Sequence, residues 1–176
     1  MDTRADLPCR PVPVFADPDT SYGYPAVSLT GDEELCLVAQ GYHRGRDSLH
    51  FRLYDQRRRI WTQPKCLCGL PDCYKPRIAR DSDGVIHAVW PVVRGDSWNI
   101  FYQTFLRGQW SQARPVASGY TSDAAVACGA GNETWVAWSM LSQQPTIAIR
   151  RLVGGRWDDP IEVKDSCMLF RPAIVS

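Results

Sequence analysis

The chain has 176 residues, 44% of them hydrophobic and 22% charged, which is enough apolar material for one domain with its own core and too much for a disordered chain. Its net charge of +1 at pH 7 gives no reason to expect nucleic acid or an acidic membrane surface as a partner, and no run of about 18 apolar residues exists to span a bilayer. Seven cysteines are an odd number, so complete internal pairing is excluded.

The first 15 residues, MDTRADLPCRPVPVF, lack the apolar core of a signal peptide, so reduced thiols in a cytoplasm are the default expectation. Residues 1–11 read as an N-terminal arm, and Val12–Ala16 (VPVFA) as a short extended run. From Tyr24 onward the chain repeats itself. The first unit, residues 24–68, opens on PAVSL, turns at Thr30–Glu33, runs back through LCLVAQ, crosses the loop YHRGRDS and continues as HFRLYD. A hairpin then leads through Trp61 into a fourth run ending KCL. The second unit, residues 75–118, has PRIAR, a turn at Asp81–Gly84, VIHAVW, the loop VVRGDSWN, NIFYQT, and a hairpin through Trp110 into PVA. The third, residues 123–164, has AAVAC, a turn at Gly129–Asn132, TWVAWS, the loop LSQQPT, TIAIRR, and a hairpin through Trp157 into IEV. The C-terminal FRPAIVS, residues 170–176, restarts the pattern.

Two markers keep the same period. Pro25, Pro76, Ala124 and Pro172 are spaced by 51, 48 and 48 residues, and Trp61, Trp110 and Trp157 by 49 and 47. Each unit holds four short extended runs and no convincing apolar period of 3.6, so helix is expected to be nearly absent and strands to dominate. Asp83-Gly84 is a strong hairpin signal. Four antiparallel strands in a unit of roughly 50 residues define a β-propeller blade. The sequence therefore predicts an all-β protein, a β-propeller segment of four-stranded antiparallel blades. It has three full blades, preceded by the outer strand of an earlier blade at 12–16 and followed by the inner strand of a next one at 170–176. Such a segment leaves open strand edges, so the remaining blades of a propeller, or self-association, are expected partners.

The pattern PRIARDSDGVIHAVW at residues 76–90, followed by IFYQ and GQWSQARPV, resembles blades of the sialidase-like propeller superfamily with BNR-type repeats. The Asp-box of that group, S-x-D-x-G-x-T-W, belongs on the hairpin before the fourth strand. Here those hairpins read YDQRRRIW, FLRGQW and LVGGRW, keeping the tryptophan and some glycine, so they are degenerate boxes. The resemblance implies three enzymatic features to look for: an arginine cluster for a substrate carboxylate, a Tyr/Glu nucleophile pair, and an acidic acid/base residue. Arg77, Arg80 and Arg171 lie on inner-strand positions and Tyr102 on a third strand, but the Arg-Ile-Pro setting of such enzymes is missing. Asp81 and Asp83 sit beside Gly84 and read as turn-forming residues. No Ser/His/Asp set, phosphate loop or HExxH appears, so no catalytic residue is assigned and no cofactor is expected.

Ligand chemistry is expected on the face that carries the blade connectors and the loops between second and third strands, where a rigid scaffold presents variable side chains. His43, Arg44, Arg46 and Asp47 in the first such loop, and Arg94, Asp96 and Trp98 in the second, form the candidate ligand-binding set. An aromatic platform beside Arg and Asp suits a pyranose ring and its hydroxyls. A small ligand, above all a carbohydrate, is therefore the expected partner. Two alternatives stand beside it: the first blades of an exo-sialidase-like glycoside hydrolase completed outside this chain, and a protein-interaction scaffold. The stretch KCLCGLPDCYKP connects blades one and two. Cys66 and Cys68, two apart in an extended segment, are expected to face one way, with Cys73 returning after a turn. Three thiols fall one short of a structural zinc site. Cys66, Cys68 and Cys73 are thus weak metal candidates, and a Cys68–Cys73 disulfide and free thiols remain open beside that.

Overall fold

A computed structural model describes residues 13–165, 167 and 169–175. All of its regular structure is strand, in three separate antiparallel sheets. The first contains β1 (Ser21–Leu29), β2 (Leu35–His43), β3 (Arg46–Asp55), β4 (Ile60–Trp61) and β5 (Lys65–Cys66). The second contains β6 (Arg77–Arg80), β7 (Ile86–Arg94), β8 (Ser97–Leu106), β9 (Gln109–Trp110) and β10 (Arg114–Ala117). The third contains β11 (Thr121–Cys128), β12 (Thr134–Met140), β13 (Thr146–Val153), β14 (Arg156–Trp157) and β15 (Ile161–Val163). In each sheet the first three strands pair in sequence, and two short pieces share the outer rank against the third strand. The fourth run of each unit is therefore split. Pro64 and Pro160 stand in the gaps of the first and third sheets, where a residue without an N–H cannot continue the ladder.

The sheets are propeller blades packed face to face. One core lies between the first two blades, with Cys36, Val38, Leu49 and Phe51 meeting Ile86, Ala88, Trp90 and Phe105. The other lies between the second and third, with Val89, Ile100 and Tyr102 meeting Val126, Val136 and Trp138. The two-residue strand period sorts these sets: within β7, Ala88 and Trp90 face back and Val89 faces forward. The innermost strands β1, β6 and β11 lie side by side, β6 between the other two.

Blade-to-blade bonds repeat as well. The Arg150 guanidinium donates to the Val116 carbonyl of the preceding blade at 2.7 Å, and Arg52, its counterpart on β3, donates to the carbonyl of Val14. Neither Pro13–Ala16 nor Phe170–Val175 forms a ladder among the described residues. Each meets a blade through isolated bonds, such as Arg171 N–H to Ser139 Oγ at 3.0 Å. The N-terminal arm, residues 1–11, lies outside the described residues, as do Val12 and Ser176.

The turns that open the first two blades touch. Gly31 N–H donates to the Gly84 carbonyl at 3.1 Å, and a Cβ on Gly84 would stand 2.5 Å from Gly31 Cα. Gly84 also has φ +81. Gly84→Ala is expected to cost about 2–4 kcal/mol, because backbone strain and overpacking act together. Gly108→Ala, at the same φ of +81 with nothing within 4 Å, should cost only about 1 kcal/mol. Urea unfolding of both variants checks this, and equal losses would remove the inter-blade contact as the cause.

Candidate functional site

A cleft of about 580 Å³ opens where the inner strands begin, lined by Tyr24, Lys75, Arg77, Asp123 and Arg171 together with the small apolar residues that follow them. Four of these share one place in the repeat: Tyr24, Lys75, Asp123 and Arg171 each immediately precede Pro25, Pro76, Ala124 or Pro172. All four have left-handed backbones, with φ of 49, 41, 43 and 52. For a non-glycine residue this costs roughly 1–2 kcal/mol, and a residue before proline is ordinarily extended. In β1 and β11 the register shifts at this point, between Gly23 and Ala26 and between Ser122 and Ala125. In these two strands the left-handed residue is thus a bulge, a device that re-aims one side chain out of the pleat. Repeated strain at functional sites commonly serves geometry, and here it brings four different side chains to one cleft.

The charges in the cleft are unequal. Lys75, Arg77 and Arg171 are cationic and Asp123 is the one carboxylate among its described lining residues. Lys75 Nζ lies 2.9 Å from Asp123 Oδ1 and 5.9 Å from the ring centre of Tyr24, which is 51% exposed. The lysine therefore links the anion on one side to an aromatic face on the other. Its own amide is fixed from behind: Lys75 N–H donates to Gln40 Oε1 at 2.9 Å, and Gln40 Nε2 donates to Asp47 Oδ1 at 2.6 Å.

The residues expected from the sequence to bind ligand are distributed around this cleft rather than gathered in it. His43, Arg44, Arg46 and Asp47 occupy the β2–β3 hairpin, and Arg94, Asp96 and Trp98 the β7–β8 hairpin. Both hairpins lie at the end of their blades where the cleft opens, because Ser21 pairs with Tyr42 and Cys73 bridges Val92. Arg44, Arg46, Arg94 and Asp96 are exposed, with the Arg94 guanidinium 5.1 Å from the Phe101 ring centre. His43 Nδ1 is engaged by the Asp19 carbonyl at 2.9 Å, and Asp47 is occupied with Gln40. Trp98 stacks on Tyr74 of the connector, centroids 5.6 Å apart. Burial, then the Asp47 and Asp72 carboxylates, push the Tyr74 phenol up, so it stays a proton donor at the rim. Sequence reasoning singled out Arg77 and Arg171 but missed Tyr24, Lys75 and Asp123. The signal available was their shared position one residue before the repeat marker.

The three connector cysteines are free thiols and do not all converge: the Cys68 and Cys73 sulfurs lie 3.5 Å apart, and Cys66 lies at the surface. β5 ends at Cys66, so strand alternation no longer governs Cys68: Cys66 is exposed while Cys68 and Cys73 are buried in the first core. Cys66 and Cys68 therefore do not share a face. Among the described residues no group of three His, Cys, Asp or Glu side chains is placed to hold a metal.

No protein-family model matches the chain, and no curated protein matches it in sequence. Its fold is similar to solved structures. The Hadza microbial sialidase Hz136 superposes with a TM-score of 0.60 at 12% identity, over 77% of this chain and 36% of that one. The polysaccharide lyase Uly1 superposes with a TM-score of 0.54 at 11% identity, over 81% of this chain and 40% of that one. A fucose lectin from Kordia zhangzhouensis, solved in complex with methyl-fucoside, gives a looser TM-score of 0.47 at 14% identity, over 76% of this chain and 95% of that one. The matched part of this chain spans well under half the length of the sialidase and of the lyase. Taken with the three packed sheets, the likenesses to the sialidase and the lyase define an all-β fold of propeller-like blades.

Proposed function

We propose that this chain is the ligand-binding part of a sialidase-like β-propeller with degenerate Asp-boxes, and that it takes a carbohydrate carrying an acidic group into the cleft at the start of the inner strands. The observation that carries this reading is the set of four left-handed residues, equivalent in the repeat and different in chemistry, that line one cleft. Arg77 and Arg171 suit a carboxylate or sulfate, since a guanidinium offers paired donors to two oxygens. The exposed Tyr24 ring offers a sugar an apolar face, and Lys75 and Asp123 offer a donor and an acceptor to its hydroxyls. The hairpins with His43, Arg44, Arg46 and Asp47 and with Arg94, Asp96 and Trp98 form the outer rim. The two neighbours named as a sialidase and a polysaccharide lyase support a carbohydrate as ligand. Binding without turnover is favoured because the carboxylates near the inner strands are already engaged. Asp123 holds Lys75, and Asp81 holds the turn amides of Asp83 and Val85 at 3.0 and 2.8 Å as well as His87.

Calorimetry on the chain with matched acidic and neutral sugars tests this. Glucuronic acid, galacturonic acid and N-acetylneuraminic acid are set against glucose, galactose and the N-acetylneuraminic acid methyl ester. At least one acid should bind about tenfold or more tightly than its neutral partner, the worth of one charge-assisted contact. Equal affinity within every pair, or no binding by folded protein, overturns the proposal.

A further inference from the structure

We propose that Cys68 and Cys73 form a dithiol that a peroxide oxidises to a disulfide, a modification site that staples the connector between the first two blades. The two sulfurs face each other at 3.5 Å inside the first core, with Cys73 fully buried and Cys68 only 8% exposed. The Cys73 thiol also lies 3.2 Å from the Leu70 carbonyl. Gly69, between the two thiols, has open space beside it, with nothing within 4 Å of where a Cβ would sit.

The surroundings differentiate the two sulfurs. The hydrogen bond from Cys73 holds the Cys68 thiol below the ordinary range despite burial, while that same bond and then burial push Cys73 up. The buried Trp90 indole N–H, which finds no full hydrogen-bond partner, acts on Cys73 in the opposite direction. Elsewhere in the core, burial and then the Glu34 carboxylate push Cys36 up to about 12, and burial, partly offset by the Thr134 hydroxyl, pushes Cys128 up to about 11. Cys68 is therefore the more readily deprotonated sulfur of the pair and its nucleophile, and its burial admits only a small oxidant. Its thiolate attacks one peroxide oxygen, the O–O bond breaks, and Cys68 becomes a sulfenic acid as hydroxide leaves and takes a proton. The Cys73 thiol then gives up its proton and attacks the Cys68 sulfur, forming the S–S bond and releasing water. Two thiols lose two electrons and the peroxide is reduced to two waters.

The staple falls on a connector that is bonded to both blades. Asp72 N–H donates to the Asp47 carbonyl of the first blade at 3.0 Å, Tyr74 N–H to the Pro91 carbonyl of the second at 3.0 Å, and Lys75 follows at the cleft. The test is peroxide titration of the whole chain, alkylation, and tryptic mass spectrometry of residues 66–77, which stay together because Pro76 blocks cleavage after Lys75. The expected product has lost two hydrogens, with the cross-link between residues 68 and 73 and Cys66 alkylated. Dithiothreitol should reverse it, and oxidised protein should melt about 5 °C above reduced. Cys66→Ser should keep the cross-link, and Cys73→Ser should leave oxygen on Cys68 instead. A cross-link between Cys66 and Cys68, or oxygen uptake confined to the exposed Cys66 and Cys167, overturns the assignment.

Discussion

Arg171→Gly and Lys75→Gly are expected to bind acidic sugars at least tenfold more weakly while folding as well as the parent chain or better. Both residues hold left-handed backbones, φ 52 and 41, which glycine adopts at no steric cost. Relief of roughly 1–2 kcal/mol of strain outweighs the extra freedom glycine gives the unfolded chain, about 0.5–1 kcal/mol. Arg171 is exposed, and its amide bond to Ser139 survives the substitution. Arg171→Gly should therefore gain about 0.5–1 kcal/mol. Lys75→Gly also loses the partly exposed pair with Asp123, worth up to about 1 kcal/mol, and should come out near neutral. Ligand affinity moves the other way, since each lost charge-assisted contact is worth about 1.5–3 kcal/mol. Urea unfolding and calorimetry on the same preparations separate the two effects. If both variants lose stability and keep affinity, the left-handed positions serve the fold and not the ligand.

His87→Ala should cost about 3 kcal/mol or more of stability. His87 lies in the interface between the second and third blades, with Nε2 3.0 Å from Asp81 Oδ2. A carboxylate only accepts, so Nε2 carries the proton, and Nδ1 faces the Tyr102 hydroxyl at 2.7 Å and the Thr134 hydroxyl at 3.0 Å. Asp81, Tyr102 and Thr134 are all buried. Removing the imidazole leaves a carboxylate and two hydroxyls without that partner, away from water. One unsatisfied buried polar group costs about 1–3 kcal/mol, and a charged one more. Because Thr134 belongs to the next blade, the loss also loosens the blade contact. Equilibrium urea unfolding measures it, and a loss below about 1 kcal/mol would show that water or neighbouring groups take over the bonds.

How much of this could be read from the chain follows from what a repeat preserves. Blade architecture was legible because Pro25, Pro76 and Pro172 and the three hairpin tryptophans recur in kind as well as in place. The side chains that build the site recur only in place. Tyr24, Lys75, Asp123 and Arg171 share a repeat position and no chemistry, and the proline after three of them reads as extended chain, so nothing local announced a left-handed backbone. His87 was hidden for the same reason, since its repeat equivalents are Cys36 and Trp135, which make no such network. His87 therefore read as one more residue of the second strand. The connector thiols misled in another way: alternation predicted a shared face for Cys66 and Cys68, but it holds only inside a ladder, and the ladder stops at Cys66. Trp98 suggested an open platform, and its stacking on Tyr74 depends on a connector from another part of the chain.

The central claim is that the cleft at the start of the inner strands, and not the hairpin tips alone, holds the ligand. Amide chemical-shift mapping during titration with N-acetylneuraminic acid or galacturonic acid tests it most directly. The largest shifts should fall on Tyr24, Lys75, Arg77, Asp123 and Arg171, with smaller ones at residues 43–47 and 94–98. Shifts confined to those two hairpins, with the five cleft residues unmoved, would contradict the account.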